Sequence, residues 1–489
     1  MAVQVQGSVL GNTNILLCLS KAPSPPFPML FPLRLHKAKR CCFVAAHSTS
    51  STKATPLSSN HRESGRPLAN FPPDIWGDHF LNLSFDISCF QLVEAMVVEE
   101  LWHHAFKSKF MARFKLKTSS ELDRCSTQVE VLKETVKDML MASTTDPLHN
   151  ILLVNSLCRL GVSYHFETEI EQQLTHCFDT LSQLIQNNDY NLHEIAIMFQ
   201  VFRSHGYNMS SFKKRNGEFK IGDIKEIITL YEAAQFRING EFILDKAFNF
   251  TTSQLKSIVS QTSTHYAQYI ENAFNCPYQI GVPRLEARQY ICFYEKDDDE
   301  ARNDTLLKFA KYDFNRIQMM LQQELSSLFS EWKEENMESR FPYARHRIVE
   351  SFFSATVFYF EPCYARARNI YAKLLSTLAF IDDTYDAYGT YEELQHFTDA
   401  MQRFDISVID ELPTDYLKLL YETTLNVHNE IEDKVGKEGR SYAVSYTKNE
   451  LKEVALAYLV ERRWVHGCYM PTFDEYLETA LKTCVAILS

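Results

Sequence analysis

Between Met1 and Asn60 the sequence contains no Asp or Glu, while Lys21, Arg34, Lys37, Lys39, Arg40 and Lys53 stand among Ser, Thr, Pro and Ala. That is the composition of a plastid transit peptide, and the apolar run Ile15-Leu16-Leu17-Cys18-Leu19 is too short for a secretory signal. No run anywhere reaches the ~20 apolar residues that span a bilayer. An overall cationic excess is also missing: the net charge is −12 and the pI about 5.8, which argues against nucleic-acid binding by phosphate neutralisation. The 12 Cys make no CxxC pair and no Cys/His cluster at zinc spacing. This argues against a structural zinc site or a disulfide scaffold and leaves reduced, mostly buried thiols. No period repeats, so a helical repeat array loses its signature. There is no Asp-x-Asp-Asp either, hence no visible acid for protonating an alkene.

What is present is enough apolar matter for more than one core, with 45% hydrophobic residues in 489. Apolar residues recur at three- and four-residue spacing with few alternating runs, which predicts an all-α chain. The scarce glycines (14) fall at expected helix ends, among them Gly161, Gly206, Gly240 and Gly389. The loop from Cys276 to Pro283 is the best boundary. The expected organisation is a transit peptide over 1–62, an N-terminal helical domain over 65–280 and a C-terminal helical domain over 281–489.

The sharpest feature closes the apolar segment Ile370 to Gly389: Asp382, Asp383 and Asp386. At about 100° per residue, Asp382 and Asp386 continue the stripe of Tyr371, Leu375 and Ala379, so both are expected on the buried face. Clustered carboxylates repel one another unless a cation compensates them, and acidic charge is unfavourable at a helix C-terminus. Oxygen-only ligands favour Mg²⁺, which shares its coordination with substrate phosphates. Arg345 and Arg347, in Phe341-Pro342-Tyr343-Ala344-Arg345-His346-Arg347, are the candidate cations for such phosphates; an exposed basic loop is the plain alternative. The aromatic stretch Phe352, Phe353, Phe358, Tyr359 and Phe360 permits a pocket that steadies a carbocation, though each ring also reads as ordinary core. His103-His104 reads as surface and Asp297-Asp298-Asp299-Glu300 as a solvated loop.

With these residues in hand, the chain resembles the plant class I terpene synthases from about Arg66 to its last residue. The likeness rests on Arg66-Pro67 followed by Trp76, Leu157 to Phe166, Phe202 to Tyr207, Gly281-Val282-Pro283-Arg284-Leu285-Glu286-Ala287-Arg288, and Trp464 through Pro471-Thr472-Phe473-Asp474-Glu475-Tyr476. Within the family it is most similar to the casbene synthases, plastid enzymes that close geranylgeranyl diphosphate into a macrocyclic diterpene. The resemblance implies an α-barrel-like N-terminal domain and a C-terminal class I helical bundle. It implies Mg²⁺, with Mn²⁺ as a substitute, on Asp382 and Asp386, support from Asp383, and a substrate diphosphate on Arg345 and Arg347. A monomer with a small prenyl diphosphate as its partner is expected.

Three departures stand out. Ser354 occupies the position where the family usually has a pocket-floor Trp, with Phe353 as its neighbour; Cys89 to Lys117 has no counterpart among the motifs; and the segment after Lys220 is short. The same motifs also serve farnesyl diphosphate, so a sesquiterpene synthase is the alternative, and a non-catalytic prenyl diphosphate binder is another. A chain-elongating prenyltransferase normally shows two Asp-rich motifs, and one is found here. The resemblance implies a second metal-ligand set, an Asn/Asp, Ser/Thr and Glu at four-residue intervals, after Tyr476. None is found, and the sequence ends within the apolar run Thr483 to Ser489, so little cyclase activity is expected of the chain as given.

Overall fold

The structure is a computed structural model, which describes residues 2–7, 13–18, 71, 119–142, 147–187, 190–209, 213–214, 223–296, 302–436 and 441–483. Most of the expected transit peptide, Arg66-Pro67, Trp76, His103-His104 and Asp297 to Glu300 lie outside them. The chain divides into two compact units, Met1–Leu33 with Asp86–Met320, and Arg34–Phe85 with Leu321–Ser489. Both are helical, as the spacing predicts. The sheet among the described residues is a small antiparallel ribbon in which Ala2–Gly7 pairs with Thr13–Cys18, and the latter with Lys213–Lys214.

In the first unit, Val129, Val136 and Leu140 of helix Ser119–Ala142 pack with Val154 and Leu157 of helix Pro147–Arg159 and with Phe166, Phe199, Phe202 and Phe309. Helix Leu192–Ser204 starts with a reciprocal cap: Glu194 N–H donates to Asn191 Oδ1 (2.9 Å) and Asn191 N–H to Glu194 Oε2 (2.9 Å). The motif Leu157 to Phe166 proves to be scaffold. Gly161 has φ 72°, and a Cβ there would lie 2.5 Å from Ala287 Cβ, so only glycine fits. Tyr164 and His165 both bond the buried Asp313, at 2.6 and 3.0 Å, with Arg316 on the same oxygen at 2.9 Å. Arg159 is buried against Glu232 (3.0 Å) with the Tyr278 ring 4.2 Å from its guanidinium carbon.

Glu286, beside this cluster, lies so close to Gly281 that a Cβ there would meet its Oε1 at 2.6 Å. Burial pushes its carboxyl up to about 7, Arg159 opposes the rise and Glu232 adds to it. A carboxyl raised above its unfolded value of about 4.5 destabilises the fold once ionised, so this contribution is unfavourable as pH rises from about 4.5 through 7. Glu286→Gln is therefore expected to raise stability at pH 8 by about 1–3 kcal/mol and to leave it nearly unchanged at pH 4.5. Thermal melts at the two pH values check this, and equal gains at both would remove the ionisation argument.

The second unit builds the site. Helix Ala365–Asp383 is joined to helix Ile348–Phe358 by a loop, and Arg368, 1% exposed, pins that loop. Its guanidinium grips both oxygens of Glu324 (2.7 Å each) and donates to the carbonyls of Tyr359 and Glu361. The helix opens into a π turn, Thr384–Tyr388, and Gly389 follows because a Cβ there would press on Leu394 at 2.7 Å. Helix Tyr391–Arg403 then begins with a Thr390–Glu393 capping box.

Candidate active site

The spacing predicts Asp382 and Asp386 on a buried face; instead Asp383 is fully buried, the Asp382 side chain is 30% exposed and Asp386 is exposed. Tyr371, Leu375 and Ala379 are themselves only partly buried, so the stripe that Asp382 continues lines an open face of the α-helix, and Asp383 turns inward beside it. Asp386 lies beyond the helix in the π turn, where the wider i→i+5 winding no longer follows the 100° stripe. Asp383, one position round, meets the arginine loop.

Arg345 makes that meeting. Its backbone N–H donates to Asp383 Oδ2 (2.6 Å), its Nε to Asp383 Oδ1 (2.7 Å) and its Nη2 to Asp382 Oδ2 (2.9 Å). Phe71 lies on the same guanidinium, 4.7 Å from carbon to ring centroid. Tyr343 fixes the loop to the π turn: its ring stacks on Tyr388 at 3.9 Å and its hydroxyl bonds Thr384 at 2.8 Å. Arg347 is not drawn in. It pairs instead with Glu350, one helical turn on, at 2.9 Å. Between the two, His346 bonds the Phe341 carbonyl (3.1 Å), and burial lowers its pKa below the usual histidine range, so it adds no charge at neutral pH.

A third side of the site comes from helix Ser441–His466, which the sequence reading did not reach. The Tyr458 hydroxyl donates to the Thr483 carbonyl at 3.4 Å, and burial, followed by the charge of Asp382, pushes its phenol far above its ordinary value. Glu461 accepts from the Thr483 hydroxyl at 2.9 Å, and its carboxyl is raised by burial and by the charges of Asp386 and Asp382. Arg462 Nη1 donates to the Asp386 main-chain oxygen at 3.4 Å. The available signal was the run Glu461-Arg462-Arg463, charged residues at the end of an apolar helix, but nothing in local spacing ties it to a turn so far upstream.

The electrostatics are those of a site short of cations. Burial, followed by the charge of Asp386, pushes Asp382 up to about 6 even with Arg345 bound to it. Asp386 shifts upward for the same first reason, with Arg462 and Arg345 opposing the rise, although the residue itself keeps access to water. No three His, Cys, Asp or Glu among the described residues form a closed metal cage. Two open carboxylates with oxygen-only donors fit an ion that keeps waters and completes its shell with phosphate oxygens. On the wall behind, where the family usually carries a Trp, Ser354 and Phe353 are both half-buried.

This is the all-α fold of a terpenoid synthase, and the comparisons say which family it belongs to. Residues 333–488 match the terpene synthase family, metal binding domain, and residues 101–274 match the terpene synthase N-terminal domain, taking in part of the stretch without motif counterparts. A Ricinus communis protein named Probable terpene synthase 6 is 44% identical over 437 residues, 86% of this chain and 72% of its own length. Casbene synthase, chloroplastic, of the same plant is 40% identical, covering 88% of this chain and 67% of its own. Hedycaryol synthase of Camellia brevistyla is also 40% identical, with 89% and 73% covered. Isoprene synthase of grey poplar, solved with three Mg²⁺ ions and dimethylallyl-S-thiolodiphosphate, superposes with a TM-score of 0.68 at 32% identity over 75% of this chain and 72% of its own. The chain belongs to the plant terpene synthase family, a family of lyases that use a divalent metal. No helix among the described residues is long and apolar enough to cross a membrane.

Proposed function

We propose that, in a full-length context that supplies the second metal-ligand set, the chain ionises a prenyl diphosphate, geranylgeranyl diphosphate, and closes it to casbene or a related macrocyclic diterpene with release of diphosphate. The observation that carries the reading is the under-compensated carboxylate turn, with Arg345 already locked across Asp382 and Asp383. Asp382 and Asp386 hold Mg²⁺, for which Mn²⁺ can substitute; when bound, the ion supplies positive charge to the departing diphosphate. Asp383 does not reach the substrate but keeps the Arg345 guanidinium aimed at the site, where it offers hydrogen bonds to diphosphate oxygens. Arg347 joins it by leaving Glu350. Phe353, half-buried beside Ser354, is the ring offered to the cation.

A sesquiterpene synthase using farnesyl diphosphate is the second reading, favoured by the hedycaryol synthase relative at the same identity as casbene synthase. The acid-free N-terminus favours plastid import and with it the longer substrate, as does the relative named chloroplastic. A fluorescent fusion of residues 1–70 tests the import, and a cytosolic signal counts against it. The substrate test is incubation with geranyl, farnesyl and geranylgeranyl diphosphates plus Mg²⁺, read by gas chromatography. A cyclic C20 hydrocarbon supports the proposal and a C15 product selects the alternative. Pyrophosphate binding without product from any of the three identifies a binder that does not turn over.

A further inference from the structure

Two guanidiniums flank the aspartate turn, and they are used differently. Arg345 approaches from the loop before helix Ile348–Phe358 and spends its donors on Asp382 and Asp383. Arg462 approaches from near the C-terminal end of helix Ser441–His466. It reaches the main-chain oxygen of Asp386 through one long contact, 3.4 Å, and leaves its buried Nε without a hydrogen-bond partner. A cation that served only to cap the carbonyl end of the aspartate helix needs no more than this. But a buried, unspent N–H is costly and is expected to find an acceptor when one comes within reach. The carboxylates at this turn are those of Asp386, Asp382 and Glu461, and the phosphate oxygens of a substrate held there would be the further acceptors.

We propose that Arg462 is a placeholder cation, which compensates Asp386 while the turn holds no metal and swings to the diphosphate when metal and substrate arrive together. This rests on the reading of the turn as a metal and diphosphate site. The physical content lies in the signs. A fixed cation beside a carboxylate competes with a divalent ion for that carboxylate, and the same cation attracts the polyanionic diphosphate. Metal and diphosphate thereby become mutually dependent, each binding better in the presence of the other, as linkage requires. Free metal is held weakly, and the chain commits to it only with the substrate.

The test uses the full chain, Mn²⁺ followed by the electron paramagnetic resonance of the free ion, and inorganic pyrophosphate followed by calorimetry. In Arg462→Met, which keeps length but not charge, Mn²⁺ alone should bind more tightly by about three- to tenfold. Pyrophosphate in the presence of Mn²⁺ should bind more weakly by on the order of tenfold. Arg462→Lys should stay within about twofold of the parent in both. Opposite signs separate this role from damage to the helix end, which weakens both. Arg462→Met with unchanged pyrophosphate affinity, or with unchanged or weaker Mn²⁺ binding, overturns the inference and leaves the site standing. A parent chain that binds no pyrophosphate with Mn²⁺ overturns both.

Discussion

In a full-length context, Asp382→Asn and Asp386→Asn are each expected to slow diphosphate release from a prenyl diphosphate by on the order of a hundredfold or more. Neither is expected to harm the fold. Asn keeps the shape of Asp and removes the charge that a divalent ion needs, so the loss falls on the step in which negative charge develops on the leaving group. Stability should move the other way. Burial and Asp386 hold the Asp382 carboxyl at about 6, above its unfolded value near 3.8, so the ionised form is unfavourable in the folded chain from about pH 4 upward. Replacing it by a neutral amide relieves that cost, and at pH 8 the variant should melt no lower than the parent. A residue whose removal abolishes activity while leaving or raising stability is kept for chemistry. Asp383→Asn is the contrast. Asp383 is buried under three contacts from Arg345, and weakening them loses stability as well as activity. Release rates measured beside thermal melts decide it: unchanged release in either outer variant removes that residue from the assignment.

The helical architecture was legible because apolar spacing and caps are local properties. Asn191-x-x-Glu194 and Thr390-x-x-Glu393 announce helix starts, and Gly161, Gly206 and Gly240 do sit at positive φ as helix ends. The aspartate turn was legible as well, because three carboxylates at the end of an apolar helix repel one another and oppose the helix dipole, which weighs against a plain solvent-facing acidic turn. Their order of burial was not. For Asp382 and Asp383 it depends on which face of the helix is covered, and the stripe of Tyr371, Leu375 and Ala379 is only partly covered; for Asp386 it depends on the π turn at Thr384–Tyr388, where Tyr385 and Gly389 pack against helix Tyr391–Arg403 and leave no periodic trace. The arginines show the same limit. Glu350 stands three residues after Arg347, so a local pair was available, and in the structure it outcompetes convergence with Arg345. Tyr458, Glu461 and Arg462 come to the turn through tertiary folding alone. Residues that look functional in a string can also be scaffold, as Tyr164, His165 and Arg159 show in the first unit.

Arg368→Met is expected to cost the second unit about 3–5 kcal/mol. The side chain is 1% exposed and spends its fork on both oxygens of Glu324, with the remaining nitrogen on the carbonyls of Tyr359 and Glu361. Methionine fills much of the volume but donates nothing. Glu324 then keeps a half-buried charge without its partner, and two loop carbonyls lose their donor, so the penalty is that of groups left unpaired and not of a lost contact. Lysine should recover only part, because an ammonium cannot reproduce the two parallel bonds to the carboxylate. The double variant Arg368→Met with Glu324→Met should be more stable than Arg368→Met alone, since removing both charges removes the stranded one. Arg368 also fixes the loop from which the aspartate helix starts, so the single variant should disturb metal binding at the far end of that helix only as far as the loop moves. Denaturant unfolding of the four chains measures the cycle. A loss below about 1 kcal/mol in Arg368→Met, or a double variant less stable than the single, would mean that the loop is held by its apolar packing and that the buried arginine is not what positions the aspartate helix.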